Sequence, residues 1–185
     1  MFASFETRAA AVSAEVHRFA GKPDALAFIL ALLEKEGVSP AEGAHAVWAP
    51  GTFLDGFDRE RIAADAGVRF QVTRELAASA KVGLSQAALG IADTGTLVTI
   101  ATAVVERLVS ALPPIHVAIL PTSAIVADLA AALRRVSPKE HAYLSLITGP
   151  SRTADIERVL TIGVHGPGRL IIVCVDDLEA SLIAE

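Results

Sequence analysis

A chain of 185 residues is long enough for one full domain and short for two. Its net charge of −5, with Lys and Arg scattered rather than striped, argues against nucleic acid as the main partner, and its single cysteine, Cys174, excludes both an intrachain disulfide and a four-cysteine iron–sulfur cluster built from this chain alone. The 52% apolar content lies in Ala, Val, Leu and Ile rather than in aromatics, which suits a close-packed α/β core.

No apolar run approaches the roughly 18–20 residues of a membrane span. The N-terminus also lacks the basic-then-apolar pattern of a secretory signal, so a cytoplasmic protein is expected.

In chain order, Phe2, Phe5, Ala9, Val12, Val16 and Phe19 recur at three- and four-residue spacing and predict a helix over 2–20. A second helix is expected over 24–36, with Pro23 in its first turn and Gly37 past its end. Residues 1–37 then form an N-terminal helical extension on an α/β domain of residues 38–185.

Short strands are expected at 44–49 and 68–72, around a helix at 57–66. Strands at 87–92 and 96–100 flank Asp93-Thr94-Gly95, which reads as a tight hairpin. A short helix at 104–111 stops at Pro113-Pro114, and His116–Leu120 is a core strand. Ala124–Val136 reads as a helix capped by Thr122 or Ser123, with Ile125, Val126, Leu129 and Leu133 on its apolar face. Strands at 143–147 and 170–175 bracket a turn–helix–turn.

Three polar loops compete for function. In the loop 149–153, Gly149 and Pro150 set a turn, Ser151 and Thr153 offer hydroxyls, and Arg152 could clamp an anion. The same residues also suit an ordinary helix cap beside a solvated arginine. His165, between Gly163 and Gly166 and beside Pro167, is the best general acid or base in the chain because histidine titrates near neutrality, although a turn histidine can equally bond the backbone. Asp93 is either a site carboxylate or the anchor of an Asx turn, and Thr94 and Thr96 add hydroxyls beside it. The histidines and the cysteine never fall at close ligand spacing, so no metal site is expected.

The segments GIADTGTLV (90–98), LPPIHVAIL (112–120) and ITGPSRTADIERVLTIGVHGPGRL (147–170) resemble the LUD-domain family of lactate-utilisation proteins, in its LutC-type branch. The resemblance implies a Rossmann-like three-layer α/β sandwich, similar to the NagB/RpiA/CoA-transferase-like proteins. It implies a component of an iron–sulfur-dependent system that oxidises L-lactate to pyruvate. The clusters would reside in partner oxidoreductase subunits, with no cofactor on this chain. A homo-oligomer and a small anionic ligand are compatible with it. The alternative is a stand-alone binder or enzyme for a phosphorylated or CoA-linked metabolite.

On this reading His165 and Asp93 are the candidate catalytic residues. Thr94, Gly95, Thr96, Arg107, His116, Gly149, Ser151, Arg152 and Thr153 are the candidate ligand contacts, and the hairpin, the loop 149–153 and the His116 strand should converge on one polar pocket. Two departures stand out: the family commonly has glutamate at the position of Asp93, and residues 101–105 are more apolar than is usual in the family, while Arg107 matches its basic residue.

Overall fold

The computed structural model describes residues 1–152 and 166–180. Its centre is a six-stranded, wholly parallel sheet. The strands are β1 (Glu15–Phe19), β2 (Ala46–Trp48), β3 (Val68–Arg69), β4 (Val82–Gln86), β7 (Ile115–Pro121) and β10 (Arg169–Val175), in the spatial order β1-β10-β7-β4-β2-β3. From their second residues on, β7 and β10 are buried on both faces, which is why they read as unbroken apolar runs. One face carries α2 (Lys22–Lys35) and α3 (Arg59–Ala66), whose Leu26, Ile29, Leu33 and Ile62 pack on Trp48, Leu84, Val117 and Ile171.

The opposite face is covered by a second, four-stranded sheet in the order β8-β5-β6-β9. Its strands are β5 (Leu89–Ile91), β6 (Thr96–Ile100), β8 (Ile125–Val126) and β9 (Leu144–Ile147). Helix α1 (Phe2–Ala11) shares that core through Phe5 and Ala9, and α6 (Leu129–Arg135) through Ala132. Toward β2, α4 (Arg74–Ser79) and α5 (Val104–Ala111) complete the layer over Val47. The result is a Rossmann-like three-layer α/β arrangement whose third layer mixes sheet and helix.

Three expectations are corrected. The single helix over 2–20 ends at Ala11: Ser13 takes a positive φ of 68°, and residues 15–19 enter the sheet as β1, pairing with β10. Residues 1–37 therefore hold two helices and an edge strand of the main sheet, rather than helices alone. Val16 packs into the α1-side core and Phe19 into the α2-side core, as alternation along a strand requires; their three-residue spacing only imitated a helix.

The helix expected over 124–136 begins at Leu129, because Ile125-Val126 pairs with β5 as β8. Asp128, not Thr122 or Ser123, caps it, accepting from the Ala131 N–H at 2.7 Å. Leu129 and Leu133, expected on the buried face, are 44% and 45% exposed. Finally, β4 is a separate strand that precedes the hairpin, where only the hairpin strands were expected.

Candidate functional site

The hairpin and the loop after β9 do meet. Gly95, at φ 68°, closes the turn between β5 and β6 with its N–H on the Ile91 carbonyl. Thr94 Oγ1 donates to Thr96 Oγ1 at 2.8 Å, and Thr96 Oγ1 lies 2.8 Å from Thr148 Oγ1. Gly149 (φ 78°) and Gly95 both press against α1's C-terminal end, where a Cβ would come within 2.4 Å of Val12 O and 2.2 Å of Ala9 N respectively. Arg152 Nη2 donates to Ser13 Oγ at 2.6 Å, and the Ser151 N–H donates to Pro167 O. Asp93 is exposed at the tip, its N–H held by Ala127 O. This cluster closes on α1 and on itself. Thr153 and His165 lie outside the described residues.

The third expected segment does not join them. His116 is 1% exposed, inside the sheet beside Gly83 of β4 and Leu170 of β10, where Nε2 lies 2.8 Å from Ser85 Oγ. Burial lowers its pKa to about 4, so the ring is neutral at neutral pH. Of the two readings of His116, a structural histidine or a ligand group at the rim, its burial and its partner Ser85 Oγ favour the first. Arg107 is also occupied. Its Nη1 donates to Ala101 O at 2.8 Å, and its guanidinium lies 4.8 Å from the centre of the Tyr143 ring.

A recess lies elsewhere, at the carboxyl ends of β2 and β4. After β2 the chain turns through Thr52–Leu54 toward α3 on the α2 face; after β4 it leaves for β5 on the opposite face. Adjacent parallel strands whose connections diverge in this way leave a crevice at their carboxyl ends, the usual ligand position in open α/β sheets. Here it is a cleft of about 900 Å³, lined by Gly51, Thr52, Gln86, Ile100, Glu106 and His141 among others. Ile100 ends β6 and Thr96 begins it, so the cleft and the hairpin cluster sit about 13 Å apart at opposite ends of one strand, at roughly 3.3 Å per residue.

Gln86 spans the crevice. Its Oε1 accepts from the Phe53 N–H at 3.0 Å and its Nε2 donates to Thr52 Oγ1 at 3.1 Å, tying the end of β4 to the turn after β2. A Cβ at Gly51 would lie 2.9 Å from that Oε1, so glycine is what lets the amide reach across. Glu106, in the first turn of α5, forms the facing wall. Its Oε2 is shielded from solvent and has no hydrogen-bond partner. Burial raises the Glu106 carboxyl, against the opposing pull of the Ala103 N–H and the Arg107 guanidinium.

The carboxylates of Asp55, Glu106 and Glu140 line this cleft, and no Lys or Arg is among its described lining residues. It is therefore rich in hydrogen-bond acceptors. Gln86, Glu106 and His141 come from three distant segments with no motif between them, so no sequence pattern singles them out. The one available signal was local: Glu106 directly follows the 101–105 departure from the family pattern.

Among the described residues no group of His, Cys, Asp and Glu is arranged to hold a metal ion, and no helix is long and apolar enough to cross a membrane.

Comparison with known proteins places these features in context. The family described as "LUD domain" matches residues 2–175. Lactate utilization protein C from an Exiguobacterium species is 36% identical over 114 residues, covering 58% of this chain and 50% of that protein. Lactate utilization protein C of Bacillus subtilis is 35% identical over 107 residues, covering 55% and 45%. The chain thus spans about half the length of the curated relatives it matches. A crystal structure of a DUF162 family protein from Deinococcus radiodurans superposes with a TM-score of 0.62 at 20% identity, covering 94% of this chain and 95% of that one, and shares the fold.

Proposed function

The chain belongs to the LUD-domain family, and from that premise we propose that it serves lactate utilisation, as a component of an iron–sulfur-dependent system that oxidises L-lactate to pyruvate. The observation that carries this is the match to proteins named Lactate utilization protein C, at about 35% identity over more than half of the chain. With one cysteine in this chain, the four-cysteine clusters of such a system would be held by partner subunits. The chain's own contribution is to bind a small molecule in the cleft between the ends of β2 and β4. A phosphorylated or CoA-linked ligand is the weaker reading there, because three carboxylates line the cleft and a polyanion would meet repulsion.

Deletion of the gene tests the proposal. Growth on L-lactate as sole carbon source should be lost, growth on pyruvate retained, and the wild-type chain should restore the first. Unimpaired growth on lactate would overturn it.

A further inference from the structure

Helix α6 turns an apolar ridge outward. Its Leu129 and Leu133 are 44% and 45% exposed, while Ala132 between them is buried. Residues four apart on a helix are neighbours on one face. Two large aliphatic side chains left half in water beside each other mark an interaction surface. Arg134 and Arg135 follow at once, and neither has a carboxylate partner among the described residues.

The opposite outer layer carries a recess of matching chemistry. α2 and α3 leave a groove of about 710 Å³ between them, floored by Leu30, Val38, Phe57 and Ile62. Its rim is acidic: Glu34, Asp58 and Asp65 stand against the single cation Arg61, which lies 3.4 Å from Asp65 and is already paired with it. Asp58 caps α3 through the Arg61 N–H, and a carboxylate holds more than one donor. Glu34 and Asp58 therefore keep acceptors for an arriving cation.

We propose that α6 of one copy of this chain docks in the α2–α3 groove of a second copy. Leu129 and Leu133 enter the groove, and Arg134 and Arg135 meet Glu34 and Asp58. An amphipathic helix laid in an apolar groove through anchors one turn apart is a recurring mode of recognition. The two surfaces lie on opposite faces of the six-stranded sheet, so one chain cannot close the contact on itself. The contact is heterologous: a copy that gives its α6 keeps its own groove open, and association runs past a dimer into a ring or an open row. A seven-residue helix buries less than a standard interface, so association is weak and reversible, at about micromolar concentrations or above. The inference concerns assembly and is independent of the lactate-utilisation reading.

Light scattering on the purified full chain, from about 10 to about 500 µM, tests it. The mean mass should rise with concentration and pass that of a dimer. Raising the salt from about 0.05 to about 0.5 M should weaken the association at least about threefold, because the rim charges are screened. Two variants separate the two halves. Arg134→Glu with Arg135→Glu spoils the ridge, and Ala31→Arg with Glu34→Lys fills the groove and inverts its rim; all four positions are exposed. Each variant alone should stay monomeric. Mixed in equal amounts they should form a one-to-one dimer and stop there, because one keeps an intact groove and the other an intact α6. If the charge-reversed ridge does not fold, Leu129→Gln with Leu133→Gln replaces it and leaves the charge unchanged.

A wild-type chain that is monomeric throughout would overturn the proposal and leave both surfaces to other partners. So would a mass that stops at the dimer, association unchanged in the variants, or a mixture of the two variants that stays monomeric.

Discussion

Replacing His116 with glutamine isolates the energetic cost of one buried ring. In the folded chain the imidazole has a pKa of about 4, against an ordinary value of 6.5, because burial disfavours its charged form. Between those values the unfolded chain binds a proton that the folded chain does not, so stability rises with pH across that window and is lost as pH falls from 6.5 toward 4. A difference of 2.5 units at 1.36 kcal/mol each sets this single-residue contribution at about 3 kcal/mol.

Urea unfolding at half-unit steps from pH 4 to 7 measures it. With a denaturant slope of about 2–3 kcal/mol/M, the wild-type midpoint should fall by about 1 M more than that of His116→Gln over this range. Glutamine keeps a polar group within reach of Ser85 Oγ and cannot titrate, so the variant's curve should be flatter even where its stability at pH 7 is lower. Parallel curves for the two proteins would refute the reasoning, because they would mean that His116 is solvated or already paired in its charged form.

Two further substitutions probe how the chain is held together. Arg169 at the head of β10 grips Glu15 with two nitrogens and donates to Glu36 at 2.6 Å, joining β1 and the end of α2 to the sheet. Because its side chain is 34% exposed, Arg169→Met should cost about 1–2 kcal/mol, between surface-pair and buried-pair values, and lower Tm by about 2–8 °C in a calorimetric scan. The Arg169 hydrogen bond holds the Glu15 carboxyl below its ordinary 4.5, so that part of the stability is present above 4.5 and fades as pH falls below it; the variant should show a shallower loss there. Gly95→Ala would place a Cβ 2.2 Å from Ala9 N at a φ of 68°; a loss of about 2–4 kcal/mol by urea unfolding is expected, and a neutral result would show that α1 does not pack on the hairpin as described.

Where local pattern and burial coincide, the fold was legible. β7 and β10 are apolar runs because both faces are covered, and the Asp93–Gly95 hairpin announces itself through a glycine that must take positive φ. β1 was hidden because Val16 and Phe19 kept the three-residue beat of α1 while lying on opposite faces of a strand. α6 was read too long because Ile125 and Val126 suit either a helix face or a strand, and only their pairing with β5 decides between them.

The site was harder still. The hairpin and the loop after β9 were seen as neighbours, and Thr96 and Thr148 join them. His116, at the head of a core strand after Pro113-Pro114, suited a structural histidine and a rim ligand group alike, and it is the pairing of β7 with β4 and β10 that draws it inside. The cleft depends on where the chain leaves β2 and β4, a property of strand order that no local motif records.

The central claim is that the ligand sits between β2 and β4 and not at Arg152. Titrating 15N-labelled chain with L-lactate, and following the Gln86 side-chain amide with the backbone amides of Glu106 and Arg152, tests it most directly. Saturable shifts at Gln86 and Glu106, with Arg152 unmoved, are the result this account predicts. Shifts confined to Arg152 and the Thr94–Thr96 hairpin would contradict it.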